Sequence, residues 1–465
     1  MNGERVVGEV LGACRRAGWW ALRWHPWACA GLVVAASVAV VAGVGALAAL
    51  VVLATAAGVV WAWGHPVSFG ELVGARARAS WRREVVYRRR WRPAMFLSGL
   101  ACRFDGAELI PRLGRVRSSW AADVVRVQLV SGQESIDWES RTGALAQTFG
   151  AQGCRARALR PRWIELEFTF RLDIPVVAAL PIPSRPDLDG LTIGRRGDGR
   201  PWRLRLRGTH VLVGGATEAG KGSVLWSIIR SLLTWTHAGV AEMRVADPKG
   251  GVELGHGALD PTTRRPSCPL FARFATTAEA IAGMLEEAVD DMLARAERLA
   301  GIARQHQPTV GDPLVVVIID ELAHLATYGD ENVRERVRQA LGILLSEGRA
   351  LGFHVVAAVQ RPSQLKPDLR RAFPTRVALR TVDADEVEMI LGQEAWVRGA
   401  RCERIPKTTP GCGWVLLDGD IEPTWVRASW ISDTDIARMA ATYPAPTPAD
   451  PDVDVDGDQG EGVAA

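Results

Sequence analysis

Hydrophobic positions along this chain fall into three textures. The first runs from Trp27 to Trp63, 37 residues without a charged side chain. A soluble amphipathic helix keeps a polar face, so this stretch reads as membrane-spanning. As one helix it would measure about 55 Å at the usual rise per residue, nearly twice the roughly 30 Å hydrocarbon core. Two spans hinged at Gly43, Val44 and Gly45 fit better. Arg5, Arg15, Arg16 and Arg23 precede the run and eight arginines from Arg76 to Arg92 follow it, and both flanks favour the cytoplasm. The pattern therefore predicts a basic cytoplasmic N-terminus (1–24), a transmembrane helical hairpin (25–65) and an Arg-rich juxtamembrane segment (66–96). That last segment is expected to grip membrane lipids at about 1 kcal/mol per basic residue. Trp81, Tyr87 and Trp91, interleaved with its arginines, make DNA phosphate contact the sharper alternative.

The second texture is mixed and covers residues 97–200. ADVVRVQLV (Ala122 to Val130) predicts a strand, Ser135 to Phe149 a helix, and RWIELEFTF (Arg162 to Phe170) alternates as a half-exposed strand. Together they imply a small α/β module. The Pro-rich stretch Pro175 to Asp187 reads as a linker, and Gly197-Asp198-Gly199 as a turn ahead of the next domain. In the third texture, 201–440, the short aliphatic runs THVLVGG, EMRVADP, PLVVVIID, FHVVAAV and TRVALR alternate with helical stretches. Such runs suit strands covered on both faces, so a mainly parallel, doubly wound sheet is expected. Between them, Ile281, Leu285, Val289 and Met292 share one helix face, opened by Thr276 and Glu279 at capping-box spacing. Residues 441–465 carry six carboxylates from Asp450 to Glu461 with no base, and this composition predicts a disordered acidic tail.

Charge and composition sharpen the reading at a few positions. The formal net charge is only +4, yet just four of the 56 basic residues are lysines, at 221, 249, 366 and 407. Where arginine is the default cation, a lysine marks a place for a compact ammonium. Seven cysteines, an odd number, show no CxxC spacing and the histidines no local pair, so neither a disulfide framework nor a zinc knuckle is suggested.

One of those lysines lies in a strand–loop–helix setting. The strand ending at Gly214 runs into Gly215, Ala216, Thr217, Glu218, Ala219, Gly220, Lys221, Gly222 and Ser223, followed by VLWSIIRSLL. This is a Walker A element. Its backbone N–H groups and helix dipole surround a β-phosphate, and Lys221 supplies a point charge between β and γ. Two residues depart from the usual pattern. Gly222 stands where a Ser or Thr normally binds Mg²⁺, the hydroxyl coming one place later as Ser223, and Glu218 brings a carboxylate into the loop. Downstream, PLVVVIIDELAHL ends in Asp320 and Glu321, a Walker B element. Asp320 can hold Mg²⁺ through water, and Glu321 can polarise the attacking water. The spacing suits the ASCE group of RecA-like ATPases, with another strand between the two elements, and the strand FHVVAAV ends at Gln360, whose amide could sense the γ-phosphate. ATP with Mg²⁺ is the expected cofactor.

With ADPKGGVEL, IIDELAHL, EGRALGFHVVAAVQRPS and TRVALRTVDADEVEMILG following the Walker A in that order, the chain resembles the motor of the FtsK/SpoIIIE family from about Leu204 to Ala437. Within it the GKGS loop, the compact size and the N-terminal hairpin are most similar to the Tra-type conjugative transfer proteins of actinomycetes. The resemblance implies a membrane-anchored, multi-pass protein with its motor in the cytoplasm, acting as a homo-oligomer, a hexameric ring, that pumps double-stranded DNA with ATP during conjugative transfer. It also implies an arginine acting across a subunit border on the γ-phosphate; Arg349, Arg371 and Arg380 are candidates, Arg349 matching the motif best. Asp247 and Lys249 are expected near the site or in a structural turn. No winged-helix reader is visible after the motor, so sequence choice would fall to a separate DNA-recognition protein or to the 97–200 module. The alternatives are a chromosome-partition pump at the septum, a protein-secretion ATPase, and a nucleotide-binding membrane scaffold without turnover, the last motivated by Glu218 and Gly222.

Overall fold

The computed structural model describes residues 52–64, 73–119, 121–170, 174–258, 270–327 and 330–446. The chain divides into two compact units, Met1–Ala77 and Arg78–Ala465. In the first, residues 52–64 are helical. The expected hairpin over 25–65 lies largely outside the described residues, as do the N-terminus and most of the acidic tail. Among the described residues no helix is long and apolar enough to cross a membrane.

The second unit opens with the end of the Arg-rich segment, which is helical through Arg89–Leu97. Tyr87, Trp91 and Met95 are buried in a core with Val125, Trp138, Phe149 and Phe168. Of the three aromatics interleaved with the arginines in the DNA-phosphate alternative, Tyr87 and Trp91 are therefore spent on packing, while Trp81 stays exposed. Asp123, fully buried, accepts hydrogen bonds from Tyr87 Oη at 2.7 Å and Arg82 Nη1 at 2.8 Å, and Trp91 Nε1 donates to Pro111 O at 2.7 Å. Arg88, Arg89, Arg90 and Arg92 stay exposed.

A short hairpin, β1 (Cys102–Phe104) and β2 (Ala107–Leu109), precedes a four-stranded antiparallel sheet. That sheet is ordered β3 (Arg112–Ser118), β4 (Ala122–Gln128), β6 (Trp163–Thr169), β5 (Gly153–Arg160). The alternation read in RWIELEFTF appears as the alternating burial of β6. The single helix expected over 135–149 is two, Ser135–Glu139 and α1 (Thr142–Phe149), the second ended by Gly150 in a left-handed conformation.

Ten strands form the large sheet, in the order β11 (Arg273–Ala275), β10 (Ala241–Ala246), β12 (Leu314–Ile319), β13 (Phe353–Val359), β9 (Val211–Gly214), β14 (Thr375–Leu379), β15 (Cys412–Leu416), β16 (Thr424–Ala428), β7 (Leu191–Arg196), β8 (Pro201–Leu204). The six from β11 to β14 are parallel, and the remaining pairings are antiparallel. All six residues of β12 are buried, as a strand sandwiched between helix layers requires. On one face α2 (Lys221–His237) buries Val224, Leu225, Ile228 and Leu232. On the other, α3 (Ala278–Leu299) and α4 (Glu331–Leu351) bury Ile281, Leu285, Leu341 and Leu344. α3 starts without the expected capping box: Thr277 is its N-cap, accepting from Ala280 N, and Glu279 pairs with Arg336 instead.

Two connections differ from expectation for a shared reason, the reach of the large sheet. β7 and β8 join its edge, so the turn at Gly197–Gly199 lies inside a hairpin of that sheet and the expected boundary at residue 200 falls within it. The Pro-rich stretch is strapped down: Trp430 N donates to Val177 O at 2.7 Å, Arg230 Nε to Leu180 O at 2.6 Å and Thr234 Oγ1 to Pro183 O at 3.0 Å.

The small sheet meets the large one through Arg155 of β5. Its guanidinium pairs with Glu422 at 2.5 Å, donates to Pro423 O, and lies 5.2 Å over the Trp414 ring. Arg155→Ala is expected to cost about 2 kcal/mol, the worth of charge-assisted hydrogen bonds at a half-buried site. Limited proteolysis at the strap should speed up in the variant; unchanged cleavage and an unchanged melting temperature would count against this seam.

Candidate nucleotide-binding site

Parallel strands place their carboxyl ends on one edge, where loops converge. Here Val359 pairs with Gly214, and Ala246 with Ile319, so four loops leave β9, β10, β12 and β13 side by side. They carry residues 215–222, residues 247–253, Asp320 with Glu321, and Gln360. β13 stands between β9 and β12, the intervening strand that the sequence spacing suggested.

The glycine loop turns back over the start of α2. Its backbone is tied to neighbours by Gly215 N to Val359 O at 3.1 Å and Ala216 N to Arg380 O at 2.8 Å. Gly220 has φ +95°, and a Cβ there would meet Gly411 N at 2.2 Å, so only glycine fits. Lys221 opens α2 and folds under the loop, Nζ donating to Gly215 O at 2.9 Å and Ala216 O at 3.1 Å. It is only 7% exposed. The free N–H groups of a helix start and one buried ammonium make an anion site.

Opposite lie the acids. Asp320 and Glu321 are both buried. Lys249 Nζ bridges them, 3.1 Å from Asp320 Oδ2 and 3.3 Å from Glu321 Oε2. Glu321 also accepts from Gln360 N at 3.1 Å, and Gln360 Oε1 accepts from Thr217 Oγ1 at 3.3 Å. Burial pushes the Asp320 carboxyl above its ordinary range, with Lys249 opposing. Burial pulls the Lys249 ammonium down, but Asp320 and Glu321 outweigh it and the net shift is upward. Lys249 comes from the loop after β10, whose turn winds around the fully buried Asp247: N–H groups of Lys249, Glu253 and Leu254 all donate to that carboxylate.

The two departures in the glycine loop have physical explanations. Glu218 is exposed, at φ +61°, so its carboxylate is solvated. Gly222 faces Glu253: a Cβ at 222 would lie 1.7 Å from Glu253 Oε1. Ser223, the third residue of α2, is half-buried and its carbonyl accepts from Ser227 Oγ at 2.6 Å.

The candidate arginines separate. Arg380 donates to Thr217 O at 2.7 Å and so belongs to the glycine loop of its own chain. Arg349 is exposed near the end of α4, where its charge is felt by His210, just before β9. It therefore sits at the opposite end of the strands from Lys221. Arg371 lines the same groove as Arg349, about 700 Å³ between α4 and the helix Pro367–Arg371. Sequence reasoning missed Glu253 and the local role of Arg380. The signal for Glu253 was the glycine at 222, which had to be empty for a reason.

Hard oxygen donors that already hold an ammonium suit a magnesium ion. Among the described residues no three metal-binding side chains converge on one point.

The FtsK/SpoIIIE family matches residues 190–306. The transfer protein TraSA of Streptomyces ambofaciens is 30% identical, over 73% of this chain and 82% of that protein. A DNA translocase FtsK of Tropheryma whipplei is 26% identical over 55% of this chain, which spans 34% of that relative's length. Among solved structures, the pCW3 conjugation coupling protein TcpA, in its monomer form with ATPgS, aligns with 76% of this chain and 98% of its own at TM-score 0.49 and 18% identity.

Burial pulls the Lys221 ammonium down to about 8. The charged form is what a phosphate binds, so affinity should hold below pH 8 and fall as pH rises through it, roughly tenfold by one unit above the pKa. Fluorescent-nucleotide titrations from pH 7 to 9 measure this. A flat profile in the wild type would mean that the ammonium keeps its proton throughout.

Proposed function

The chain belongs to the FtsK/SpoIIIE family and is a P-loop ATPase, and from this we propose that it is an ATP-driven translocase of double-stranded DNA serving conjugative transfer, anchored in the membrane and working as a hexameric ring. The observation that carries the reading is the meeting, at one sheet edge, of a helix N-terminus with Lys221 on one side and the buried pair Asp320 and Glu321 on the other. The sequence relationship to a Streptomyces transfer protein supports the conjugative role.

In this reading residues 215–223 cradle the triphosphate and Lys221 leaves its two carbonyl partners for the β- and γ-phosphates. Mg²⁺, bound with ATP, would neutralise charge on the phosphates, held by Asp320 through water. Glu321 accepts a proton from the attacking water. The hydrogen bond from Gln360 N aims it, and the Gln360 amide, bonded to Thr217, links that acid to the glycine loop. Arg349 lies at the opposite end of the strands from its own Lys221, and in this reading it serves a nucleotide held by a neighbouring subunit. Arg89 and Arg90, exposed in the Arg-rich segment, would meet lipid headgroups in this reading.

The scaffold reading rested on Glu218 and Gly222. It loses that support, since Glu218 is solvated and the place beside Gly222 is filled by another carboxylate. A septal partition pump shares the same motor chemistry and is separated from the conjugative reading by mating assays of a deletion strain.

The biochemical test is steady-state ATPase of the full chain with and without duplex DNA. Duplex should stimulate turnover, Lys221→Ala should abolish it, and Glu321→Gln should slow it on the order of 10²-fold or more while retaining bound ATP. A wild-type protein that binds ATP but never turns it over, with duplex or without, would remove the motor reading.

A further inference from the structure

We propose that Glu253 supplies the metal-facing oxygen that a hydroxyl gives in other P-loops, so that Gly222 and Glu253 act as one unit in holding Mg²⁺. This rests on the ATPase reading above and assigns a ligand within it.

The position after the P-loop lysine normally carries the Ser or Thr hydroxyl that binds Mg²⁺. Here it is Gly222, and the missing side chain leaves room that the Glu253 carboxylate fills: a Cβ would lie 1.7 Å from Oε1 and 2.6 Å from the carboxyl carbon. The carboxylate thus stands against the backbone from which the hydroxyl would project. Ser223, one residue further along α2, is turned about 100° around the helix axis and does not substitute in place.

Glu253 is set there by a rigid turn. Its N–H donates to Asp247 Oδ2 at 3.1 Å, beside Leu254 N at 3.0 Å on the same oxygen, and Asp247 is fully buried. A ligand whose backbone is pinned this way is preorganised. The nearby cations are engaged elsewhere: Lys221 Nζ bonds the carbonyls of Gly215 and Ala216, and Lys249 Nζ bridges Asp320 and Glu321. Glu253 makes no ion pair among the described residues. With Asp320 it makes the pair of carboxylates that Mg²⁺ takes alongside phosphate and water.

The test compares nucleotide affinity of the full chain in Mg²⁺ and in EDTA, with a fluorescent ATP analogue. In the wild type Mg²⁺ should tighten binding. In Glu253→Gln that gain should shrink on the order of tenfold, the usual loss when a metal site is weakened, while affinity in EDTA rises because a negative charge has left the phosphates. Gly222→Ser alone should weaken binding, since the new side chain meets the carboxylate. Gly222→Ser with Glu253→Ala restores a hydroxyl and opens room for it, and should recover much of the Mg²⁺ gain. Mn²⁺ bound with the nucleotide, followed by electron paramagnetic resonance, gives a second readout: its affinity should drop in Glu253→Gln. Binding in EDTA doubles as the check on folding. An unchanged Mg²⁺ gain in Glu253→Gln, or its loss in Ser223→Ala instead, would overturn the proposal. A wild type that binds no nucleotide under either condition would instead overturn the ATPase reading beneath it.

Discussion

Charges withdrawn from water at the carboxyl edge of a parallel sheet must find compensation there, and this constraint organises the centre of the molecule. Lys221, Asp320 and Glu321 are each at least nine-tenths buried. Unpaired, any one of them would carry a desolvation penalty of several kcal/mol. Lys221 meets it with two loop carbonyls, and Asp320 and Glu321 with the ammonium of Lys249. Lys249 holds the acids together, and a lysine suits this place in an arginine-rich chain: an ammonium can bridge two carboxylates, where a planar guanidinium would hold one of them bidentately.

The same economy of space explains the glycines that matter. Gly220 allows the loop after Pro410 to approach the helix start, and Gly222 admits the carboxylate of Glu253. Both concern approaches from elsewhere in the chain. The loop from Asp247 to Leu254 is thus as much part of the site as the glycine loop. It is wound on a buried carboxylate, with Leu254 in the hydrophobic core, and this fixes backbone direction closely because each N–H must point at an oxygen.

Away from the site, aromatic and cationic side chains that suggested ligand contact from their pattern divide by burial. Tyr87 and Trp91 close the core of the small module, while the arginines beside them remain in water. The module is joined to the large sheet by polar contacts, with Arg155 reaching from β5 to Glu422 and Trp414 and the Pro-rich strap laid along α2.

Local order was determined by the sequence itself. Aliphatic runs such as LVVVII and FHVVAAV announce strands covered on both faces, and the strand, glycine loop, lysine and helix from 211 to 237 announce an anion site, because these depend on neighbours within a few residues. Boundaries and partners were decided by tertiary structure. The strands at 191–196 and 201–204 belong to the large sheet only because its antiparallel edge was open to them. Arg380 serves the glycine loop 163 residues before it, and Glu253 meets Gly222 from the loop after β10. A sequence states which side chains are available. Which distant oxygen fills an empty glycine is a matter of sheet order and register, and those are fixed only when the whole hydrophobic core closes.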